Sequence, residues 1–338
     1  MGKRRVLFYY YGPHSFHAAL AKSIGAVPMR APHANSQLSR AIKLVYHAVS
    51  IPKDYSVYFC EATYVVPALS KRLRMLDGKI VDIIADPLLY YLKIGRMKGA
   101  VGKLYYDGLK KVDLFITPSK MADKWLSDLV PGAKSLLVYT CPPQKSRNDL
   151  LKMRNIEPEL DEHKILLIAG GPDDYHKGLD LLSKAFVEVK KGWPDAELNI
   201  VGGRWSKEII DKYTKYSNSI HFLGYVDNIY KLIKSSSVYV HLGRGDMFPA
   251  SSIEAMLGGL PSIVSDVTGT KEIVEKVDKR LVVPLSAKEA AKRIDWYFRL
   301  PYSKKAEISK NLIELAAEYD EGKAVRAFKK DFEKAISD

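Results

Sequence analysis

The stretch that decides the fold is residues 238–266, VYVHLGRGDMFPASSIEAMLGGLPSIVSD. Its pattern predicts a buried strand over Val238–Leu242, an open loop, and a short helix that begins at about Ala250. A Gly-Gly pair then ends the helix, and a second strand begins at Pro261. The stretch is therefore a strand–loop–helix–strand unit of a parallel sheet.

Two carboxylates in this unit point to a ligand. Asp246 falls on the loop and Glu254 about one turn into the helix, with seven residues between them. The carboxyl ends of parallel strands are where open α/β sheets bind ligands. The N-terminus of the helix suits a phosphate, because its N–H groups are unpaired and its dipole end is positive. Carboxylates beside a phosphate need hydroxyl groups to face, so we expect a sugar or a ribose here.

Composition describes a folded chain with room for two domains. Of the 338 residues, 47% are apolar and 27% are charged. We find no apolar run of 18 residues and expect no membrane-spanning helix. The N-terminal apolar run is interrupted too early, at Gly12, for a signal peptide. Only Cys60 and Cys141 are present, in a spacing that suits neither a metal site nor a disulfide framework, which predicts a cytoplasmic protein.

The net charge of +14 lies almost wholly in the first half of the chain. Residues 1–150 hold 23 Lys and Arg against 10 Asp and Glu, whereas residues 151–338 hold 30 against 29. Such asymmetry indicates an anionic partner for the first half, which could be a membrane surface, a phosphorylated lipid or nucleic acid. A basic surface kept for solubility explains the same numbers.

Strand-like apolar runs alternate with helical patterns along most of the chain, which predicts two doubly wound, Rossmann-like domains. We place the domains at residues 1–145 and 160–320, with the polar stretch Cys141–Asp161 as the linker and a closing helix at about 321–338. Strands are predicted in the first half at Val6–Tyr11, Ser56–Phe59, Lys79–Ala85, Asp113–Thr117 and Ser135–Tyr139. Further strands are predicted at Lys164–Ala169, Glu197–Val201, His221–Leu223 and Leu281–Val283.

Three loops after predicted strands carry candidate site residues. Gly12 follows the first strand and lets a backbone approach a ligand, although a tight turn explains it equally. Asp86-Pro87 follows another strand, either as a functional side chain or as a helix cap. Lys177 sits in a glycine-rich loop that contains Gly171 and suits an anion, although a flexible loop would have the same composition. His14 and His17 have no third ligand that would make a metal site.

The segment Leu88–Lys111 mixes aromatic and aliphatic residues with six Lys or Arg side chains and one acid, Asp107. Basic, aromatic-rich amphipathic segments bind membrane interfaces. The cluster Lys71–Arg74 extends this basic surface. A helix that covers a sheet also needs one apolar face and one wet face, so both interpretations remain open.

Together these motifs resemble family 4 of the retaining nucleotide-sugar glycosyltransferases, which have the GT-B fold. The resemblance is specific from about Lys164 to Val283 and weaker in the first half, through VDLFITPSKMADKWL (112–126). Its motifs are Lys177-Gly178 with LDLLSKAF, LNIVGG (198–203), HFLGYV (221–226), the stretch 238–266 and GTKEIV (269–274). GT-B implies two Rossmann-like domains facing a cleft, with the C-terminal helix returning to the first.

The family implies that a nucleotide-diphosphate sugar binds mainly to the second domain. By resemblance, Glu254 binds the ribose hydroxyls, Asp246 binds the donor-sugar hydroxyls, and Lys177 holds the diphosphate with the N–H groups of Ala250 and Ser251. Carboxylates accept bonds from vicinal diols, and a lysine with a helix N-terminus offsets the charge of the leaving diphosphate. No metal or other cofactor is then required. The remaining candidate donor-binding residues are Gly12, Gly171, Arg204, Val226 and Arg244.

Three departures from the family pattern stand out. Asp246 replaces the usual glutamate and is one methylene shorter, and Met247-Phe248-Pro249 replaces Gly-Phe-Gly. Pro172 occupies the place of the arginine that usually precedes the Lys-Gly lysine, which leaves Arg244 and Arg204 as candidates for that charge. The first-domain histidine of the family falls near Asp86, our substitute catalytic candidate.

We therefore expect a metal-independent, retaining glycosyltransferase whose acceptor is a lipid, a lipid-linked glycan or another anionic, membrane-proximal molecule. It would be cytoplasmic, or peripheral at the inner face of a membrane through its basic half. A catalytically impaired sugar-nucleotide-binding protein is the first alternative, and a GT-B-like epimerase is another. A nucleic-acid-binding protein would need stacking aromatics on an open sheet face, and we expect no nucleic-acid partner.

Overall fold

The computed structural model describes residues 4–31, 37–171, 173–203 and 205–336, with the backbone alone for residues 37–41. The chain divides into two compact units. The first unit contains residues 1–139 and 321–338, and the second contains residues 140–320.

The first unit is built on a six-stranded parallel sheet. Most of its strands are apolar and buried, because helices cover both faces of such a sheet. The strands are β1 (Val6–Tyr10), β2 (Val27–Arg30), β3 (Val57–Glu61), β4 (Lys79–Ile83), β5 (Leu114–Thr117) and β6 (Ser135–Leu137). Their order in the sheet is β2-β1-β3-β4-β5-β6.

The helices of the first unit follow the strands in alternation. They are α1 (Ser15–Ser23), α2 (Gln37–Ser50), α3 (Val65–Arg72), α4 (Leu88–Lys93), α5 (Gly99–Leu109) and α6 (Lys120–Leu129). The closing helix, Glu321–Ala335, also belongs to this unit. Its Phe328 and Phe332 rings each lie 5.9 Å from the ring of Phe59 on β3, and Lys79 Nζ donates to the carbonyl of Ile336 over 2.9 Å.

Two features of the first unit differ from the sequence prediction. The prediction omitted β2, whose four residues include Pro28 and are mostly exposed, so it lacks the buried apolar run of the other strands. The segment Leu88–Lys111, which the sequence interpretation treated as one amphipathic segment, contains two helices, α4 and α5. Gly95, between the helices, and Gly99, the first residue of α5, take positive φ angles of 66° and 68°, a conformation that interrupts an α-helix.

The second unit is also built on a six-stranded parallel sheet, in the order β12-β11-β10-β7-β8-β9. Its strands are β7 (Lys164–Ile168), β8 (Glu197–Val201), β9 (Ile220–Gly224), β10 (Val238–His241), β11 (Ser262–Ser265) and β12 (Val282–Val283). Its helices are α7 (Gln144–Lys152), α8 (Leu179–Gly192), α9 (Lys207–Thr214), α10 (Ile229–Lys234), α11 (Ala250–Leu257), α12 (Lys271–Val277), α13 (Ala287–Phe298) and α14 (Tyr302–Ala316). The closing helix of the chain is α15.

The stretch Cys141–Asp161 is not a simple linker, which corrects the sequence interpretation. It belongs to the second unit and contains α7. This helix buries only Leu150, so the stretch looks like a polar linker in sequence. Arg147 anchors it, donating to the carbonyl of Ala317 over 2.7 Å and pairing with Asp320 at 3.2 Å. The prediction of a linker failed because polar contacts hold α7 in place, whereas the sequence signal for a packed helix is a buried apolar stripe.

Candidate functional site

The second sheet has a topological switch point between β7 and β10. From β7 the chain runs through β8 to β9 on one side, and returns to β10, β11 and β12 on the other. Because the loops after β7 and β10 leave in opposite directions, a crevice forms at the carboxyl ends of these strands, where ligands bind in such sheets. The two loops carry Lys177 and Asp246.

Gly178 brings the two loops together. Its φ of 69° lies in the left-handed region, and a Cβ built on it would fall 1.9 Å from the carbonyl oxygen of Leu242. Only glycine fits there, so this steric limit explains why a glycine follows Lys177. The backbone of the Lys177 loop lies directly against the loop that follows β10.

Lys177 and Asp246 meet across this crevice. Lys177 Nζ donates to Asp246 Oδ2 over 2.9 Å, and His241 Nε2 lies 3.0 Å from the same oxygen. Burial alone would raise the pKa of Asp246, but the Lys177 charge and the His241 hydrogen bond outweigh burial and hold it well below its usual range. Asp246 is therefore a carboxylate at neutral pH.

Arg244 makes a second anchor in the same loop. Its guanidinium forms two hydrogen bonds with the carboxylate of Asp180 on α8, at 2.7 and 2.8 Å, and donates to the carbonyl of Tyr175 at 2.6 Å. It also lies 3.9 Å from the centroid of the Tyr175 ring. Bidentate pairing of this kind fixes geometry as well as charge. Arg244 thus ties the loop after β10 to the loop before α8.

Helix α11 begins directly after this loop and ends as the sequence predicts. Leu260 N–H donates to the Ala255 carbonyl and Gly259 N–H to the Met256 carbonyl, both at 2.9 Å, and Gly259 has a φ of 84°. These bonds form a Schellman motif. At the other end, Ala250 and Ser251 occupy the first two positions, where N–H groups have no partner within the helix.

Glu254 lies one turn into α11 and contacts α7. Ser146 Oγ donates to Glu254 Oε1 over 2.6 Å. Burial raises the pKa of Glu254, and the Ser146 hydrogen bond lowers it in part. Ser146 is a contact that the sequence interpretation missed, because it lies in the stretch read as a linker.

The other candidate donor-site residues are distributed over two units. Gly171 has a φ of 118° in the loop after β7, and Val226 is half-buried just beyond β9. Arg204 and Pro172 lie outside the described residues. Gly12 and Asp86 belong to the first unit, and a Cβ on Gly12 would meet no atom within 4 Å.

The carboxyl edge of the first sheet is acidic. Asp86 follows β4, and its Oδ1 accepts the N–H of Leu88 over 3.1 Å, as a cap would. Burial, with a contribution from Glu61, raises the pKa of Asp86 to about 6. Glu61 ends β3, and its Oε1 lies 2.7 Å from His17 Nδ1 and accepts the N–H of His14 over 3.0 Å. The sequence interpretation missed Glu61, although an acid at the end of an apolar strand was a readable signal.

Comparison with known proteins finds similarity mainly in the second unit. Residues 152–317 match the family model of glycosyl transferases group 1. Over these residues the chain is similar to the group 1 glycosyltransferases. Over 128 residues, 37% of this chain, it is 30% identical to a phosphatidyl-myo-inositol mannosyltransferase of Mycolicibacterium smegmatis. The alignment spans 33% of that relative, about a third of its length.

Solved structures extend the likeness to the whole fold. Anabaena HepE, in complex with UDP and glucose, has a TM-score of 0.68 at 15% identity over 99% of both chains. Sucrose-phosphate synthase from Thermosynechococcus elongatus has a TM-score of 0.73 at 15% identity, over 99% of this chain and 100% of that one. The GT-B fold predicted from the motifs is confirmed.

The described residues contain neither a helix suited to span a membrane nor a cluster suited to hold a metal ion. Within residues 4–31, 37–171, 173–203 and 205–336, no helix is both long and apolar enough to cross a membrane. In the same ranges, no group of three or more His, Cys, Asp and Glu side chains could hold a metal ion.

The raised pKa of Glu254 predicts that Glu254→Gln stabilises the protein at neutral pH. A carboxyl whose folded pKa lies above its unfolded value costs stability once it ionises, so the cost grows as the pH rises above about 4.5. The amide oxygen still accepts from Ser146. We expect the variant to melt roughly 2 °C above the parent at pH 7 and level with it at pH 4. Thermal unfolding at both pH values measures this, with Glu275→Gln on an exposed position as control. A lower melting temperature at pH 7 would contradict the argument.

Proposed function

We propose that the protein is a retaining glycosyltransferase that uses a nucleotide-diphosphate sugar as donor. One observation carries the proposal: Lys177 and Asp246 meet at the switch point of a group 1 glycosyltransferase domain, beside the N-terminus of the helix that bears Glu254. A cation, a helix N-terminus and two carboxylates match the phosphates and hydroxyl groups of such a donor.

Each group of the donor has a partner of suitable chemistry. The Glu254 carboxylate accepts hydrogen bonds from the two ribose hydroxyls, and Val226 offers an apolar contact to the base. Lys177 and the N–H groups of Ala250 and Ser251 bind the diphosphate, with Gly171 allowing close approach of the backbone. The Asp246 carboxylate accepts hydrogen bonds from the transferred sugar.

Bond cleavage then depends on stabilising the leaving diphosphate. As the bond between the sugar and the phosphate breaks, negative charge grows on the phosphate oxygens. Lys177 and the positive end of α11 are fixed before this happens, so they stabilise the charge without reorganising. These groups supply the stabilisation that a divalent cation provides in other transferases, so the proposed reaction requires no metal.

Arg244 has a different role in this proposal from the one its charge first suggests. Its guanidinium already pairs with the carboxylate of Asp180. Asp180 and the Tyr175 carbonyl occupy both terminal nitrogens of this guanidinium, whereas the Lys177 ammonium has three N–H donors and gives one to Asp246. We therefore propose that Arg244 contributes to donor binding by fixing the backbone between His176 and Asp246, because Arg244 N–H donates to the His176 carbonyl over 2.8 Å.

We propose that the first unit binds the acceptor, with Asp86 as its catalytic candidate and Gly12 as a point of close approach. The surplus of positive charge in this half suits an acceptor on an anionic surface. A relative named as a phosphatidyl-myo-inositol mannosyltransferase supports a lipid-linked acceptor. Cys60 and Cys141 are both buried thiols outside any disulfide, which fits a cytoplasmic site at the inner face of a membrane.

Helix α2 offers the apolar part of a membrane-binding surface. Ile42, Val45, Tyr46 and Val49 are all exposed, and they recur at the spacing of one helix face. Ile94 and Val101, in the segment predicted to touch a membrane, are exposed as well. Apolar side chains on a basic unit are what interfacial binding requires.

A catalytically impaired sugar-nucleotide-binding protein is the second candidate. It is favoured by the shorter carboxylate of Asp246 and by Pro172 at the place of the usual arginine. Both candidates require donor binding, and only the transferase breaks the bond between the sugar and the diphosphate. Release of the nucleoside diphosphate separates them.

Donor binding is tested by thermal unfolding and calorimetry with UDP-, GDP-, ADP- and dTDP-sugars. At a hundredfold excess over Kd, we expect a bound donor to stabilise the protein by about 2.7 kcal/mol. Glu254→Ala should remove most of this stabilisation, because the ribose hydroxyls lose their acceptor. Glu275→Ala, at an exposed position on α12, should retain it. If none of the sugars shifts the melting temperature of the wild type, the donor site is refuted.

Membrane binding is tested by sedimentation with vesicles. We expect binding to vesicles that contain anionic lipid, weakening as salt rises because screening grows, and little binding to zwitterionic vesicles. Ile42→Asp should reduce binding because it removes an exposed apolar side chain and adds a negative charge. Tyr225→Asp, at an exposed position of the second unit, is the matched control. The absence of binding to anionic vesicles at low salt would refute membrane association.

A further inference from the structure

His241 is a fully buried polar side chain in the middle of the candidate donor site. It is the last residue of β10 and has no exposed surface. Both nitrogens of a buried imidazole need partners, because an unpaired polar atom away from water is costly. The two partners are Asp246 Oδ2, 3.0 Å from Nε2, and the hydroxyl of Tyr239, 3.3 Å from Nδ1.

These partners decide which nitrogen carries the proton. Asp246 is a carboxylate and can only accept, so Nε2 donates its N–H to Oδ2. Nδ1 then accepts the O–H of Tyr239. Burial raises the pKa of Tyr239 far above neutral pH, so its hydroxyl keeps the proton that it donates. An imidazole with one proton on its ring thus presents a donor to Asp246 and an acceptor to Tyr239.

The same network reaches the first turn of α11. The Tyr239 hydroxyl lies 3.2 Å from Ser251 Oγ and 3.5 Å from Ser252 Oγ. Because Tyr239 donates to His241, the serine hydroxyls donate to Tyr239. A chain of polar contacts therefore joins the N-terminus of α11 to the Asp246 carboxylate and to Lys177.

The packing of His241 and Asp246 explains why residue 243 is a glycine. A Cβ built on Gly243 would fall 2.5 Å from His241 Nε2 and 3.1 Å from the Cβ of Asp246. Any other residue at this position would push the imidazole and the carboxylate apart. The backbone is thus shaped around the contact between His241 and Asp246.

The two contacts of Asp246 use one oxygen. Lys177 Nζ and His241 Nε2 both reach Oδ2, and neither contact uses Oδ1. The aspartate is one methylene shorter than the glutamate of the family pattern, so its carboxylate reaches less far from the backbone. Two donors on Oδ2 fix the plane of the carboxylate and the direction of Oδ1.

We propose that His241 is a positioning residue of the donor site, which holds Asp246 so that Oδ1 faces a hydroxyl of the transferred sugar. The proposal rests on the proposed function. It assigns to His241 a role in binding the sugar and none in binding the nucleoside diphosphate. A histidine that only filled the core would affect both parts of the donor alike.

The test compares nucleoside diphosphates with their sugars. Calorimetry gives the affinities of UDP and UDP-glucose, and of GDP and GDP-mannose, for each variant, and donor turnover gives kcat and KM. We expect His241→Leu to bind the nucleoside diphosphates nearly as the wild type does. Its preference for the sugar-bearing ligand should fall by about ten- to a hundredfold, the range for losing a hydrogen bond to a charged group. His241→Gln keeps an N–H donor near Asp246 and should recover most of the preference.

Two further variants separate positioning from stability. His163→Leu removes another histidine–aspartate contact of the second unit, 2.6 Å from Nδ1 to Asp195, and should leave both affinities unchanged. Tyr239→Phe removes the O–H that His241 Nδ1 accepts and should lower the same preference by a smaller factor, which tests the network even where His241→Leu does not fold.

The outcomes distinguish a failure of the proposed function from a failure of the role proposed for His241. If the wild type binds neither nucleotides nor their sugars, the proposed function fails and the role of His241 fails with it. If the wild type binds donors, and His241→Leu and Tyr239→Phe keep its preference for the sugar-bearing ligand, only the role of His241 is refuted. Equal losses for the nucleoside diphosphate and its sugar would likewise show that His241 acts through stability alone.

Discussion

The ion pair between Lys177 and Asp246 is the interaction on which the candidate site depends. It joins the loops that follow β7 and β10, the two strands on either side of the switch point. Opposite charges this close in a buried setting hold each other in the ionised form. Gly178 permits the approach because any side chain there would strike the Leu242 carbonyl. The close approach of the two loops that Gly178 permits is therefore the same approach that the ion pair requires.

The two units place different chemistry at the carboxyl edges of similar sheets. In the second unit, a lysine and a helix N-terminus lie beside two carboxylates, an arrangement suited to a diphosphate that carries hydroxylated groups on both sides. In the first unit, the edge holds Glu61 and Asp86, although this half of the chain carries the surplus of positive charge. If the acceptor is anionic, its charge would suit the basic surface, and a hydroxyl group would suit the acidic edge.

Much of the second unit could be predicted from sequence because its signals are local. The stretch 238–266 contains a buried strand, a helix and a glycine pair that follow their usual rules, and the structure reproduces them. The contacts of Asp246 with His241 and of Glu254 with Ser146 could not be predicted in this way. The first contact depends on the geometry of the loop after β10. The second depends on the position of α7, a helix that polar contacts hold in place. The predicted open loop is in fact buried from Leu242 to Pro249.

A crystal structure with a bound nucleoside diphosphate sugar tests the central claim most directly. The account predicts phosphate oxygens within hydrogen-bond distance of Lys177 Nζ and of the N–H groups of Ala250 and Ser251. It also predicts the ribose hydroxyls on Glu254 and a sugar hydroxyl on Asp246. A donor bound away from the carboxyl ends of β7 and β10, or bound there with its ribose turned away from Glu254, would contradict it.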